Sequence, residues 1–133
     1  MSNNVHVEGK SNEISDTLEI ILPVKIPSAK WLRENILILV ENVLNKHNEF
    51  TLYVDGSNVE EIPVMSCVME MVRFMRKNDE LFRTYLRGSS IRVVTSMTKN
   101  VLKLLFKIKP PVAPLKLVEN KEDGYAFIHS LDP

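Results

Sequence analysis

Two hydrophobic periods alternate along this chain. "LEIILPVKI" places Leu18, Ile20, Leu22, Val24 and Ile26 at every second position, the spacing of one face of a β-strand. "PSAKWLRENILILVENVLNKHN" then puts Leu32, Ile36, Leu39, Val40, Val43 and Leu44 on one side of a helix, with Glu34, Asn35, Glu41, Asn42 and Asn45 opposite. The exchange recurs: "FTLYV" precedes "PVMSCVMEMVRFMRK", "IRVVTS" precedes "MTKNVLKLLFKIK", and "APLKLVE" precedes "KEDGYAFIHSL". Strands joined through helices of this length form right-handed crossovers and a parallel sheet. The pattern predicts an α/β fold, a single mostly parallel sheet of about four to five strands with helices alternating along the chain.

Local chemistry marks the element ends. Pro23 puts the first strand near an edge or a bulge, and Ser28 is placed to cap the first helix. Asp55-Gly56 stops the second strand, and Pro63 suits the first turn of a helix running to about Asn78. "DELFRTYLRG" adds a short helical piece closed by Gly88, and Pro110-Pro111 ends the third helix.

The length of 133 residues fits one domain. Residues 1–15, "MSNNVHVEGKSNEIS", are polar and read as a flexible lead-in, with a pairing strand at Val5–Val7 as the alternative. Residues 16–133 form the expected domain. The lead-in lacks a signal peptide's basic start and apolar core, and no apolar run approaches the ~18 residues that span a bilayer. Cys67 is the only cysteine, which excludes an internal disulfide and a thiolate cluster and fits a reducing compartment. The expected location is cytoplasmic. A formal net charge of +0, without interleaved aromatic and basic residues, argues against nucleic acid as a partner.

The segment "TLYVDGSNVEEIPVMSCVMEMVRFM", followed by "IRVVTSMTKNVLKLLF" and "EDGYAFIHSL", resembles the STAS domain. That module is shared by sulphate-transporter tails and bacterial anti-sigma-factor antagonists, and the resemblance spans about Leu18 to Leu131. It implies a regulatory, non-catalytic domain whose helix opening at Pro63 faces a protein partner. The family's switch is a serine preceded by aspartate at the start of this helix. Aligned through Val59 and Ile62, those positions are Pro63 and Val64, so no phosphorylation switch is expected. Ser57 and Ser66 do not occupy the matching position. The same order of elements occurs in the lipid-transfer fold of CRAL-TRIO proteins, and a small lipid- or anion-binding domain is the alternative function.

Catalytic readings find little support. "DGSN" could cradle a phosphate, but it lacks the glycine spacing and lysine of a P-loop and is also an ordinary turn. Glu60 and Glu61 are adjacent and so do not share a face; as acids before a helix they suit its dipole. His6, His47 and His129 have no metal-ligand spacing, Cys67 has no convincing base, and Asp55, Thr95 and Ser96 are too few for a catalytic set. No enzyme activity, metal or cofactor is expected.

The helix Pro63–Lys77 carries more apolar surface than one sheet face needs. Ile62, Val64, Met65, Cys67, Val68, Met69, Met71, Val72, Phe74 and Met75 cover roughly two-thirds of its circumference at ~100° per residue. Ser66, Glu70, Arg73 and Lys77 form the remaining strip. Either "LFRTYL", with Leu81, Phe82 and Tyr85, folds over the surplus, or something outside the chain covers it. The candidate partner surface is Val64, Met65, Val68 and Met69, rimmed by Glu60, Glu61, Arg73 and Lys77. The occupant is a protein, with a second copy of the chain as one form of it. Lys99, Lys103 and Lys107 recur every fourth residue; they form either a solvated helix face or an anion-binding or membrane-surface face.

Overall fold

The computed structural model describes residues 6–11 and 16–131. Its five-stranded sheet has the order β1-β2-β3-β4-β5. The strands are β1 (His6–Ser11), β2 (Asp16–Ile21), β3 (Phe50–Asp55), β4 (Leu86–Arg92) and β5 (Leu115–Val118). β1 pairs antiparallel with β2, and every later pair is parallel. Between β2 and β3 run α1 (Ala29–Leu32), a π-helical turn (Arg33–Leu37) and α2 (Ile38–Leu44). α3 (Val64–Lys77) and α4 (Asp79–Tyr85) join β3 to β4, α5 (Ser96–Ile108) joins β4 to β5, and α6 (Lys121–Ser130) follows.

The starts of α1, α5 and α6 are held by capping side chains. The Ser28 hydroxyl accepts from the Trp31 amide at 3.0 Å, as its sequence position predicts. Thr95 and Asn120 do the same for α5 and α6, accepting from Thr98 and Asp123 at 3.3 and 2.8 Å. α3 has Pro63 at its N-cap and no capping side chain, so its first turn rests on packing. The π turn adds a residue to the first helical region and shifts its phase. Leu37 thereby joins Leu32, Ile36, Val40 and Leu44 in the core, while Leu39 is only half-buried. His47 takes a left-handed conformation after α2 (φ 59°) and stacks on Tyr85 with ring centroids 5.3 Å apart.

The two sheet faces differ in chemistry. Ile20, Leu52, Ile91 and Leu115 face the same interior as residues of the π turn, α3 and α5. On the other face Thr17, Glu19, Thr51, Tyr53 and Ser90 are all buried, and α6 packs there. This face is held by hydrogen bonds. Thr17 and Thr51 hydroxyls meet at 2.8 Å, and Ser90 donates to the Gly124 carbonyl at 3.1 Å. Glu19, 1% exposed, accepts from the Tyr125 hydroxyl and pairs with Lys121 at 3.2 Å. The Tyr53 ring lies 5.1 Å from that of Tyr125, but its hydroxyl has no hydrogen-bond partner among the described residues. Burial, reinforced by the Asp55 charge, pushes its phenol up to about 12.

Three expectations need correction. Residues 6–11 of the expected flexible lead-in pair with the open edge of β2; the alternative of a pairing strand near Val5–Val7 is the better reading, the described strand being His6–Ser11. Residues 1–5 and 12–15 lie outside the described residues. β4 begins at Leu86, not at Ile91, and leaves Val93 and Val94 beyond its end. Gly88, Ser89 and Ser90 have low strand propensity, but tertiary fit overrides it: a Cβ on Gly88 would lie 2.2 Å from Leu131 and 3.1 Å from the Pro114 carbonyl. Gly88 is thus a mid-strand residue and not a helix stop. Finally, Glu70 does not belong to a solvent strip. It is buried, and it bonds Arg33 of the π turn at 3.1 Å and Arg73 at 3.0 Å.

Two stability measurements follow from this packing. A Cβ at residue 124 would sit 2.7 Å from Tyr53 Cε1 and 3.1 Å from the Ser90 hydroxyl, so Gly124→Ala lowers stability by about 1–3 kcal/mol in urea unfolding. An unchanged midpoint would show that α6 is not seated this closely. Arg33→Met and Arg73→Met each leave Glu70 one cation, whereas the double variant leaves a buried carboxylate with neither. A double-mutant cycle should give coupling of about 1 kcal/mol or more; additivity would contradict the shared contact.

Candidate functional site

The junction from β3 to α3 is built around Asp55. One carboxylate oxygen accepts from the Ser57 amide at 2.9 Å and from its hydroxyl at 2.6 Å, an Asx turn in which the side chain stands in for backbone. The other oxygen meets Arg92 of β4 at 3.3 Å, and Arg92 also donates to the Glu119 carbonyl at 3.1 Å. The Gly56 amide donates to the Arg92 carbonyl at 2.9 Å. Asp55 thus ties the ends of β3 and β4 together, and its acceptor oxygens are occupied by the fold itself. Lys25 and Glu61 form a parallel bridge beyond it, where the Ile26 amide donates to the Glu61 carbonyl at 2.9 Å and the Glu60 amide to the Val24 carbonyl at 2.7 Å. The side chains of Glu60 and Glu61 remain exposed.

α3 sorts its apolar residues in three directions. Cys67 faces the main core, and burial raises its thiol pKa above the ordinary value, with Glu70 adding to the effect. Val68 and Val72 pack with Val101 and Leu105 of α5. Met71 and Phe74 pack against the main core with Phe82 of α4, whose ring meets Phe74 edge-on at 5.8 Å. "LFRTYL" therefore covers part of the surplus, through Phe82 with Leu81 and Tyr85 beside it, and α5 covers more. What remains is narrow: Met65 is 60% exposed and Met69 is 37% exposed, four residues apart on one helical face.

The predicted partner residues are thus separated by the fold. Met65 and Met69 lie outside, Val64 is half-buried, and Val68 is 0% exposed and unavailable to a partner while α5 is in place. Arg73 extends the methionine line and is exposed despite its contact with Glu70. Lys77 pairs with Glu41 of α2 at 3.3 Å. Val64 opens α3, and Ser66 donates weakly to the Pro63 carbonyl at 3.4 Å. On α5, Lys103 and Lys107 are exposed and Lys99 is half-buried. Among the described residues, no group of three or more His, Cys, Asp or Glu side chains is arranged to hold a metal ion, and no helix is long and apolar enough to cross a membrane.

A second feature escaped sequence reasoning. A cavity of about 230 Å³ lies between the sheet and its helix layer. Strand residues Ile20, Leu52 and Ile91 line it from below, and Ile36, Met71 and Leu105 from above. Asp79 and Lys109 also line it, joined at 2.7 Å. Lys109 and Arg83 hold the Asp79 carboxyl below the usual carboxylate range. The excess of apolar residues on the helices was the available signal, but periodicity cannot show whether facing side chains meet.

No family model matches the chain, and no curated protein matches it in sequence. Among solved structures it is similar to an uncharacterised DUF3478-family protein from Shewanella loihica PV-4, described as having a SpoIIAA-like fold. The TM-score is 0.60 at 12% identity, over 96% of this chain and 98% of that one. The chain has a SpoIIAA-like, STAS-type α/β fold.

Proposed function

We propose that this chain is a non-catalytic, cytoplasmic STAS-like interaction domain that docks a protein partner through the outer face of α3. The observation that carries the reading is the exposure of Met65 and Met69, at 60% and 37%, on a helix whose other apolar residues have partners within the chain. Unbranched methionines adapt to different partner surfaces and contribute large contact area. Glu60, Glu61 and Arg73, all exposed near the methionines in sequence, supply the polar rim. Val64 joins the contact only at its exposed edge, and Val68 supports the helix from inside.

Regulation by phosphate on the first turn of α3 is not part of this reading, because Pro63 and Val64 stand where the STAS family has aspartate and serine. Occupancy is instead set by the concentration and affinity of the partner, which is another protein or a second copy of the chain.

The double variant Met65→Glu/Met69→Glu tests the surface without disturbing the core. Partner capture from the native source, with sedimentation equilibrium for self-association, should show binding weakened about 30-fold or more, the effect of one anchor of ~2 kcal/mol. The melting temperature should stay close to that of the parent chain. Unaltered capture and unaltered mass in a folded variant would contradict the reading.

A further inference from the structure

The cavity of about 230 Å³ is lined by apolar side chains over almost its whole wall. Water is poorly accommodated where it finds few polar partners, and an engineered apolar cavity of ~150 Å³ stays dry and takes up benzene. In proportion, this space accommodates about nine carbon atoms, one unbranched chain and not the two chains of a membrane phospholipid. The π turn contributes Ile36 and Leu37 to the wall; irregular helical turns of this kind recur at functional sites.

The polar lining is concentrated in charge at one place. Lys109, at the end of α5, and Asp79, at the start of α4, are joined at 2.7 Å, and Arg83 binds the second oxygen of Asp79 at 2.7 Å. This cluster holds two cations against one carboxylate. The Lys109 side chain is 17% exposed and that of Asp79 29% exposed, so this pair both lines the cavity and reaches the protein surface. Thr98 lines the cavity as well, but its hydroxyl is engaged with Thr95. An anionic head beside Lys109 would balance the cluster while its hydrocarbon tail entered the apolar space.

We propose that the cavity binds one medium-chain monocarboxylate, with its tail among Ile20, Leu52 and Leu105 and its carboxylate beside Lys109. The site is separate from the docking surface, since neither Met65 nor Met69 lines it. Met71 and Met75, on the inner side of α3, do line it.

Calorimetric titration of the full chain with sodium nonanoate, nonan-1-ol and sodium propanoate tests this. Nonanoate should bind once per chain with a negative heat-capacity change, and propanoate should not bind detectably. Nonan-1-ol should bind roughly fivefold more weakly, the worth of one partly exposed ion pair, and Lys109→Met should abolish that preference. Val101→Phe fills the space and should remove binding of both long-chain ligands. Should that variant misfold, isotope-filtered NMR of the parent chain should give contacts from the nonanoate methylenes to the Ile20, Leu52 and Leu105 methyl groups. Absence of nonanoate binding, equal affinity for acid and alcohol, retained binding in folded Val101→Phe, or contacts only to surface residues would each overturn the proposal.

Discussion

With β2, β3, β4 and β5 side by side, parallel and in chain order, each connection must leave the end of one strand and return to the start of its neighbour. A single hand of crossover then puts every connecting helix on the same face. The consequence is asymmetry. One face of the sheet supports the helical region from α1 through α5, while the other is covered by α6 and built from Thr17, Glu19, Thr51, Tyr53 and Ser90. The crowded face carries the hydrophobic stabilisation; the thin face is specified by hydrogen bonds and by the close approach at Gly124.

Crowding on one face also explains where apolar surface is left over. α3 lies between the first helical region and α5, so it needs apolar residues toward the sheet and toward α5 as well as α4. A helix with neighbours on several sides loses the simple two-sided pattern, and two outcomes follow from the mismatch. Toward solvent, Met65 and Met69 are only partly covered by the described residues. Toward the sheet, the helix layer does not close fully on the strands and a cavity remains. Close-packed interiors retain few such spaces, so a void of this size has a cost that a bound hydrocarbon would offset.

Much of this was legible in the residues. The alternation of periods gave the α/β class and the sheet's parallel character, and Ser28 marked its helix start. Long-range fit was harder to read. The "RGSS" of β4 looks like a turn in isolation, and only Leu131, Pro114 and α6 packed around it make it a strand. The π turn moved Leu37 inward in a way that no fixed helical period anticipates. Glu70 reads as surface because the sequence does not say that Arg33, 37 residues earlier, will reach it. The apolar surplus of α3 was visible, but its division among α4, α5 and solvent depended on the tertiary arrangement. Val68 is therefore core and Met69 is not.

The orientation of α3 is the centre of the account, and methionine oxidation reads it directly. Oxidation rate follows the accessibility of the sulfur, and α3 carries methionines on opposite sides. Brief peroxide treatment of the native chain, followed by peptide mass spectrometry, should oxidise Met65 fastest among the methionines of α3, then Met69, with the half-buried Met71 and Met75 reacting more slowly. Equal rates at all of these positions, or faster reaction at Met71 than at Met65, would mean that the helix does not present this face, which would remove the basis of the proposed docking surface and contradict the cavity wall.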